Sequence, residues 1–334
     1  MYVLKLKPED FIVDEIPLSN KADAESDGQY LILNVRKKNL TTKQAVLKVQ
    51  RFYNVNDKDI GYAGMKDKNA VTTQYLSVKT ARNDIPKSVP ELIIEKAGRS
   101  KERINLGEHG GNAFTIVVRN LEKPLSIPKS VPNYFGEQRF SENNVDAGIA
   151  ILKGNFKEAV DLISLNNQDK HRMTKVNDNP VMQLRELPRR QLSLLIGSVQ
   201  SACFNHLLSK YVIEHDSDAK IIQNKAGALT YSNETLPEAK IPLPGFGVEP
   251  NEFDSEMDLW LKKHEITRRH FIIKALPGLS AEGGERNAIM EIKDISIGKL
   301  EKDDFHEGKH KQIVKFTLSP GSYATIAIEA MFSS

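Results

Sequence analysis

The alternation between Gln29 and Val35 predicts a strand with one buried face. Behind it, Ala45, Val46, Val49, Phe52 and Tyr53 recur at helical spacing, and Thr41 or Thr42 is placed to cap the first turn. Val71, Thr73 and Tyr75 then alternate with Thr72, Gln74 and Leu76, a β-branched and aromatic pattern that predicts a second strand. In a third strand, Asn112, Phe114, Ile116 and Val118 take every second position, so Asn112 and Phe114 share a face. From about Val145 the pattern turns helical. Leu192, Leu195, Ile196, Val199, Cys203, Leu207 and Tyr211 keep helical spacing over a rod of about 36 Å, with Cys203 read as core. Leu243 to Gly247 and Pro277 to Gly284 are turn-rich. Strand-like patterning returns at Ala288 to Ile297 and Ile313 to Leu318. Pro320-Gly321-Ser322 then opens a terminal helix in which Tyr323, Ile326, Ala327, Ala330 and Met331 share a face. The sheet segments never run as a parallel βαβ series, so the expected class is α+β, with a helical block inserted between sheet segments.

The chain has 334 residues, enough for one large or two ordinary domains. A lone cysteine, Cys203, excludes an intramolecular disulfide and fits a reducing compartment. The stretch from Met1 to Asp10 is too polar for a signal sequence, and apolar runs are too short to span a bilayer; a soluble cytoplasmic monomer without an obligate protein partner is expected. A formal charge of +3 does not announce nucleic acid, but the charge is patchy. Lys262, Lys263, Arg268, Arg269 and Lys274 face Glu265 alone within one short run, and 96–103 and 309–315 are also basic. Such runs are solvated faces or, on an enzyme of structured RNA, parts of one binding surface. His306 and His310 can share a helix face, yet no third ligand accompanies them, so no metal and no cofactor are expected.

The chemistry concentrates in Gly61-Tyr62-Ala63-Gly64-Met65-Lys66-Asp67-Lys68, which leads into the Val71 strand. Small residues let the backbone turn or approach a ligand closely. Flanking lysines favour the ionised form of Asp67. The plain alternative is a solvated Lys-Asp-Lys turn at a hairpin.

This segment resembles the Gly-x-Ala-Gly-x-Lys-Asp motif of the TruD family of transfer-RNA pseudouridine synthases, and further blocks match in the family's order. They are Lys7-Pro8-Glu9-Asp10-Phe11-Ile12-Val13-Asp14-Glu15, Gly111-Asn112-Ala113-Phe114-Thr115-Ile116, Val131 to Phe140 with Asn133-Tyr134-Phe135-Gly136-Glu137-Gln138-Arg139, and Leu318-Ser319-Pro320-Gly321-Ser322-Tyr323-Ala324-Thr325. A weaker block is Gln200-Ser201 with Phe204-Asn205.

The resemblance implies a mixed, largely antiparallel sheet with flanking helices, in a discontinuous catalytic domain of residues 1–144 and 288–334. A mostly helical, RNA-contacting domain at 145–287 is implied as the insert. It also implies isomerisation of uridine to pseudouridine in tRNA, at uridine 13 of the D arm, with Asp67 as the catalytic carboxylate acting as nucleophile or as base. The extruded base needs flat side chains to receive it, and the resemblance places Phe114 and Tyr323 there. Asn112 can hydrogen-bond the uracil edge. The Tyr323 hydroxyl either takes part in removing the C5 proton or binds water. Glu15 is the acid of the first block. A cation between Glu15 and Asp67 would relieve their repulsion, and Lys66 is the expected one, with Lys7 or Arg139 as alternatives, although adjacent residues of an extended chain point opposite ways. Arg139 and Gln138 can equally be structural. A catalytically silent RNA-binding protein on the same scaffold would be marked by loss of the aspartate, and here Asp67 is present. A glycoside hydrolase would need a second acid at a set separation, a place open to Glu15.

Overall fold

The alternating stretch near residue 30 is strand β2, Tyr30–Lys38, in the computed structural model, which describes residues 2–18, 28–141, 143–165 and 178–333. By compactness the chain divides into a unit of Met1–Ser126 with Glu291–Gly321 and a unit of Ile127–Met290 with Ser322–Ser334. Elements are numbered in chain order.

The first unit is built on one sheet. Its strands are β1 (Phe11–Ile16), β2, β3 (Ile60–Tyr62), β4 (Val71–Lys79), β5 (Leu92–Ser100), β6 (Gly111–Leu121), β11 (Ile292–Ile297), β12 (Glu301–Lys302) and β13 (His310–Leu318). Their order is β11-β13-β6-β1-β4-β2-β5, with β12 on β13 and β3 on β4. Among the described residues only β1 and β4 pair in parallel, so the sheet is mixed and largely antiparallel, as expected. Helix α1, Thr42–Tyr53, packs on this sheet. Its cap is Thr41, whose Oγ1 accepts from Gln44 N at 3.1 Å, and Gln44 returns to Thr41 N at 2.8 Å. Ala45, Val46, Val49 and Tyr53 bury against Leu31, Leu33, Val35, Leu76, Val78, Leu92 and Ile94, which fixes which side of β2 faces inward. β1 lies between β4 and β6, with Ile12 opposite Val71 and Glu15 opposite Asn112. That register is what gathers the site.

The second unit is mostly helical. It contains α2 (Asn144–Lys153), α3 (Phe156–Ser164), α4 (Pro180–Arg185), α5 (Arg189–His215), α6 (Asp254–Lys263) and α7 (Ala324–Ser333). Two short sheets accompany them, β7 (Lys220–Asn224) with β8 (Gly227–Tyr231) and β9 (Lys240–Leu243) with β10 (Gly284–Asn287). Every residue of the expected Leu192 to Tyr211 stripe is buried, and so are Phe204, Leu208 and Val212 beside it. Burial pushes the Cys203 thiol up, which fits an inert core cysteine.

Several expectations shift. The stretch from Ala288 to Ile297 is interrupted: β10 ends at Asn287 and β11 begins at Ile292. Tyr323 stands just before α7 rather than within it. His306 and His310 share no helix; His306 sits in the turn before β13, where its Nδ1 lies 2.8 Å from Asp303 Oδ2, and His310 starts the strand. No group of metal-ligating side chains occurs among the described residues, and no helix among them is long and apolar enough to cross a membrane.

Candidate active site

Asp67 lies in the loop from β3 to β4, with its side chain one-third exposed. Lys5 Nζ meets Asp67 Oδ2 at 2.5 Å. Lys5 itself takes a left-handed backbone, φ 57°, an uncommon conformation for a residue with a Cβ, and its ammonium also lies 4.1 Å from the centre of the Phe11 ring. The backbone of the loop has its own tether. Lys37 Nζ donates to the carbonyl of Asp67 at 2.8 Å and to that of Leu40 at 2.7 Å, from a side chain 1 % exposed. Burial lowers the Lys37 ammonium to about 8, with Asp67 opposing that shift and Lys66 adding to it.

Lys66 points elsewhere. Its Nζ lies 2.8 Å from Glu15 Oε2 and donates to Asn112 Oδ1 at 2.6 Å, while its backbone N–H donates to Thr42 Oγ1 at 2.9 Å. Glu15 Oε1 accepts from Tyr75 N at 3.1 Å, so strand β4 also holds this carboxylate. Adjacent residues 66 and 67 therefore serve two different ion pairs, as opposite-pointing neighbours should. The cation shared between Glu15 and Asp67 that the sequence suggested is replaced by two: Lys66 for Glu15 and Lys5 for Asp67.

Phe114 shares the Asn112 face of β6 and is 9 % exposed. Its ring stacks on Phe316 at 5.5 Å and meets Phe11 edge-on at 6.1 Å, so the platform expected to receive a base is also part of an aromatic row. Tyr323 belongs to the second compact unit, where its ring lies edge-on to Phe135 at 6.1 Å. Arg139 is in that unit too, 5.4 Å from the Phe135 ring centre. The basic run is not uniformly available. Arg268 Nη2 lies 2.8 Å from Asp254 Oδ1 and Nε 3.1 Å from Asp258 Oδ1, whereas Lys262, Lys263, Arg269 and Lys274 are exposed.

Sequence reasoning missed Lys5 and Lys37. For Lys37 a signal exists: Leu31, Leu33 and Val35 form the inward face of β2, and Lys37 is the next position of that face, a lysine where the period demands a core residue. Lys5 carries no local signal, because it reaches Asp67 across 62 residues.

Comparison with known proteins points one way. A family model described as tRNA pseudouridine synthase D (TruD) matches residues 2–178 and 164–330. The tRNA pseudouridine synthase D of Leptospira interrogans is 28% identical over 394 residues, covering 99% of this chain and 96% of its own. That of Aquifex aeolicus is 27% identical over 387 residues, covering 99% and 98%. A solved TruD-type structure from Methanosarcina mazei shares the fold with a TM-score of 0.70 at 24% identity, covering 99% of this chain and 93% of that one.

Proposed function

Because the chain belongs to the TruD family of tRNA pseudouridine synthases, which are isomerases, we propose that it converts a uridine of tRNA, uridine 13 of the D arm, to pseudouridine in the cytoplasm, with Asp67 as the catalytic carboxylate. In this reading residues 1–144 and 288–334 carry the catalytic domain and 145–287 the RNA-contacting insert. The observation that carries the proposal is the Asp67 side chain, open to solvent yet held by Lys5 at 2.5 Å on a loop whose backbone is tied by the buried Lys37.

The reaction breaks the bond from C1′ to N1, turns the uracil, joins C1′ to C5 and moves the C5 proton to solvent while N1 gains one. No redox partner or outside group is consumed. An ionised Asp67 can either attack C1′ covalently or remove the C2′ proton, and both routes require one carboxylate oxygen aimed at the ribose. Lys5 anchors the carboxylate through Oδ2, and it is this ion pair that aims the oxygen taken up by the substrate. The uridine must leave its stack to reach that oxygen. In the proposed site Phe114 offers a flat face to the base, and the Asn112 amide, its oxygen held by Lys66, presents its N–H donors to the uracil edge. Glu15 keeps Lys66 in place.

Asp67→Asn tests the proposal. The amide is nearly isosteric but is neither nucleophile nor base, so pseudouridine formation on a tRNA transcript should vanish while tRNA binding and the melting temperature persist. Retention of more than about a tenth of the wild-type rate would leave less than about 1.4 kcal/mol of barrier to Asp67 and remove it from the mechanism.

A further inference from the structure

The segment from Val131 to Phe140 is densely pinned within the second unit. Asn133 donates from its backbone to Ala288 O at 2.7 Å and from Nδ2 to Asn287 O at 3.1 Å. Tyr134 Oη bonds Thr230 O at 2.9 Å and lies 3.1 Å from Ser209 Oγ. The backbone N–H and C=O of Phe135 are both taken by the Asn205 side chain, at 2.9 and 3.0 Å, and its ring meets Phe204 edge-on at 5.3 Å. These contacts account for the segment as architecture. They leave the guanidinium of Arg139 without such a task.

Arg139 Nε is buried and has no hydrogen-bond partner among the described residues. Its guanidinium lies 5.4 Å from the centre of the Phe135 ring, and Arg286 lies 4.3 Å from the same centre. Arg286 donates through Nε to Asn133 O at 3.0 Å and through Nη2 to Asn133 Oδ1 at 2.6 Å. Burial lowers Arg286 to about 10, Tyr323 opposes the shift, and the like charge of Arg139 adds to it. Two guanidiniums are thus brought to one aromatic ring. An anion with several acceptor oxygens relieves their repulsion and gives the orphaned Nε a partner. Planar guanidinium forks match phosphate best.

We propose that Arg139, supported by Arg286, forms a phosphate-binding site for the sugar-phosphate backbone of the RNA substrate. The inference rests on the reading that the substrate is tRNA, but not on the role of Asp67.

Equilibrium binding of an unmodified tRNA transcript, measured against salt concentration, tests it. Loss of one phosphate contact should shallow the slope of log affinity on log salt by roughly 0.7 to 0.9. Arg139→Gln should show that change, together with roughly tenfold weaker binding at moderate salt and an unchanged melting temperature. Arg139→Lys keeps the charge but not the fork, so it should keep the wild-type slope and bind more weakly. An Arg139→Gln protein with the wild-type slope overturns the site, whether or not its stability falls, because a purely architectural cation moves stability and leaves counterion release alone. Should Arg139→Gln fail to fold, Arg139→Lys decides: wild-type affinity in that variant rules out the fork. Salt-independent binding by the wild-type protein would instead sink the tRNA reading itself.

Discussion

Lys5 and Lys37 divide the work of holding Asp67, one at its carboxylate and the other at its carbonyl. Replacing Lys5 by Met removes a hydrogen bond between charged groups, worth about 1.5–3 kcal/mol where such bonds matter, so the single-turnover rate should drop about tenfold to a hundredfold with tRNA affinity nearly unchanged. Lys5→Gly is the companion: glycine accepts the φ of 57° without penalty, so it should fold at least as well and be as slow as Lys5→Met. A fast Lys5→Gly enzyme would show that the backbone, not the ammonium, matters. Lys37 predicts an unusual pH dependence. Its ammonium is lowered to about 8 from 10.5, so between those values the unfolded chain holds the proton that the folded chain has released. Unfolding free energy should therefore rise with pH across that window, by about 3 kcal/mol for this group. Denaturant titrations at pH 7.5 and 10 should show that rise in wild type relative to Lys37→Met. A difference that is flat or falls with pH refutes the assignment.

At the scale of elements, the small residues of the Asp67 loop turn out to serve unequal purposes. Neither Gly61 nor Gly64 has a positive φ. A Cβ on Gly61, in β3, would lie 2.2 Å from the carbonyl oxygen of Ile104 and 2.7 Å from Ser77 Oγ, whereas one on Gly64 would meet nothing within 4 Å. Gly61→Ala should cost about 1–3 kcal/mol through forced backbone shifts. Gly64→Ala should melt like wild type, and a large loss of stability there would contradict the open space. The segment that carries Lys5 is anchored just before β1. Arg119 on β6 reaches Asp10 through Nε and Nη2, each at 2.8 Å, and Asp303 through Nη1 at 2.9 Å, all three side chains buried. Burial alone would push the Asp303 carboxyl up, but the N–H groups of Asn120 and Phe305, His306 and Arg119 together hold it well below the usual carboxylate range. The stability this supplies is present above about pH 4 and lost as pH falls through and below that value. Asp303→Asn should cost about 1–3 kcal/mol at neutral pH by leaving Arg119 Nη1 and the N–H groups of Asn120 and Phe305 without their anionic acceptor, while Asp10 keeps Arg119 paired, and the gap from wild type should narrow in acid titration. A gap that widens below pH 4 would assign the stabilisation elsewhere.

For the whole molecule, the last helix belongs by compactness with the helical unit, although the segment before it, Glu291–Gly321, belongs with the sheet. In α7, Ile326, Ala327, Ile328 and Met331 are buried, and Glu329 accepts from Tyr231 Oη at 3.0 Å and from Asn224 Nδ2 at 3.2 Å. Deleting residues 322–334 should therefore strip amide protection in hydrogen exchange from 127–290 and leave β1, β4, β6 and β13 protected. Equal loss in both units would mean that the two do not fold as separate compact bodies. Catalysis should disappear as well if Tyr323 receives the base.

Local sequence determined much of this. The cap at Thr41, the buried stripe of α1 and α5, the strands around Tyr30, Val71 and Asn112, and the exposed loop carrying Asp67 each depend on neighbours within a few residues, and periodicity reports such neighbours directly. The ordered motifs disclosed the family for the same reason, since each is a short string with its own backbone task. Tertiary structure alone decided which cation meets which acid. Lys5 and Asp67 are 62 residues apart, Lys66 and Asn112 46, and both contacts exist because β1 is set between β4 and β6 in one register. Alternation in a strand fixes which side chains share a face, but it is equally satisfied by registers two residues apart, which would place different side chains opposite Glu15. The need for glycine at position 61 is likewise set by the carbonyl of Ile104, a close approach made only when the folded chain brings distant backbone together.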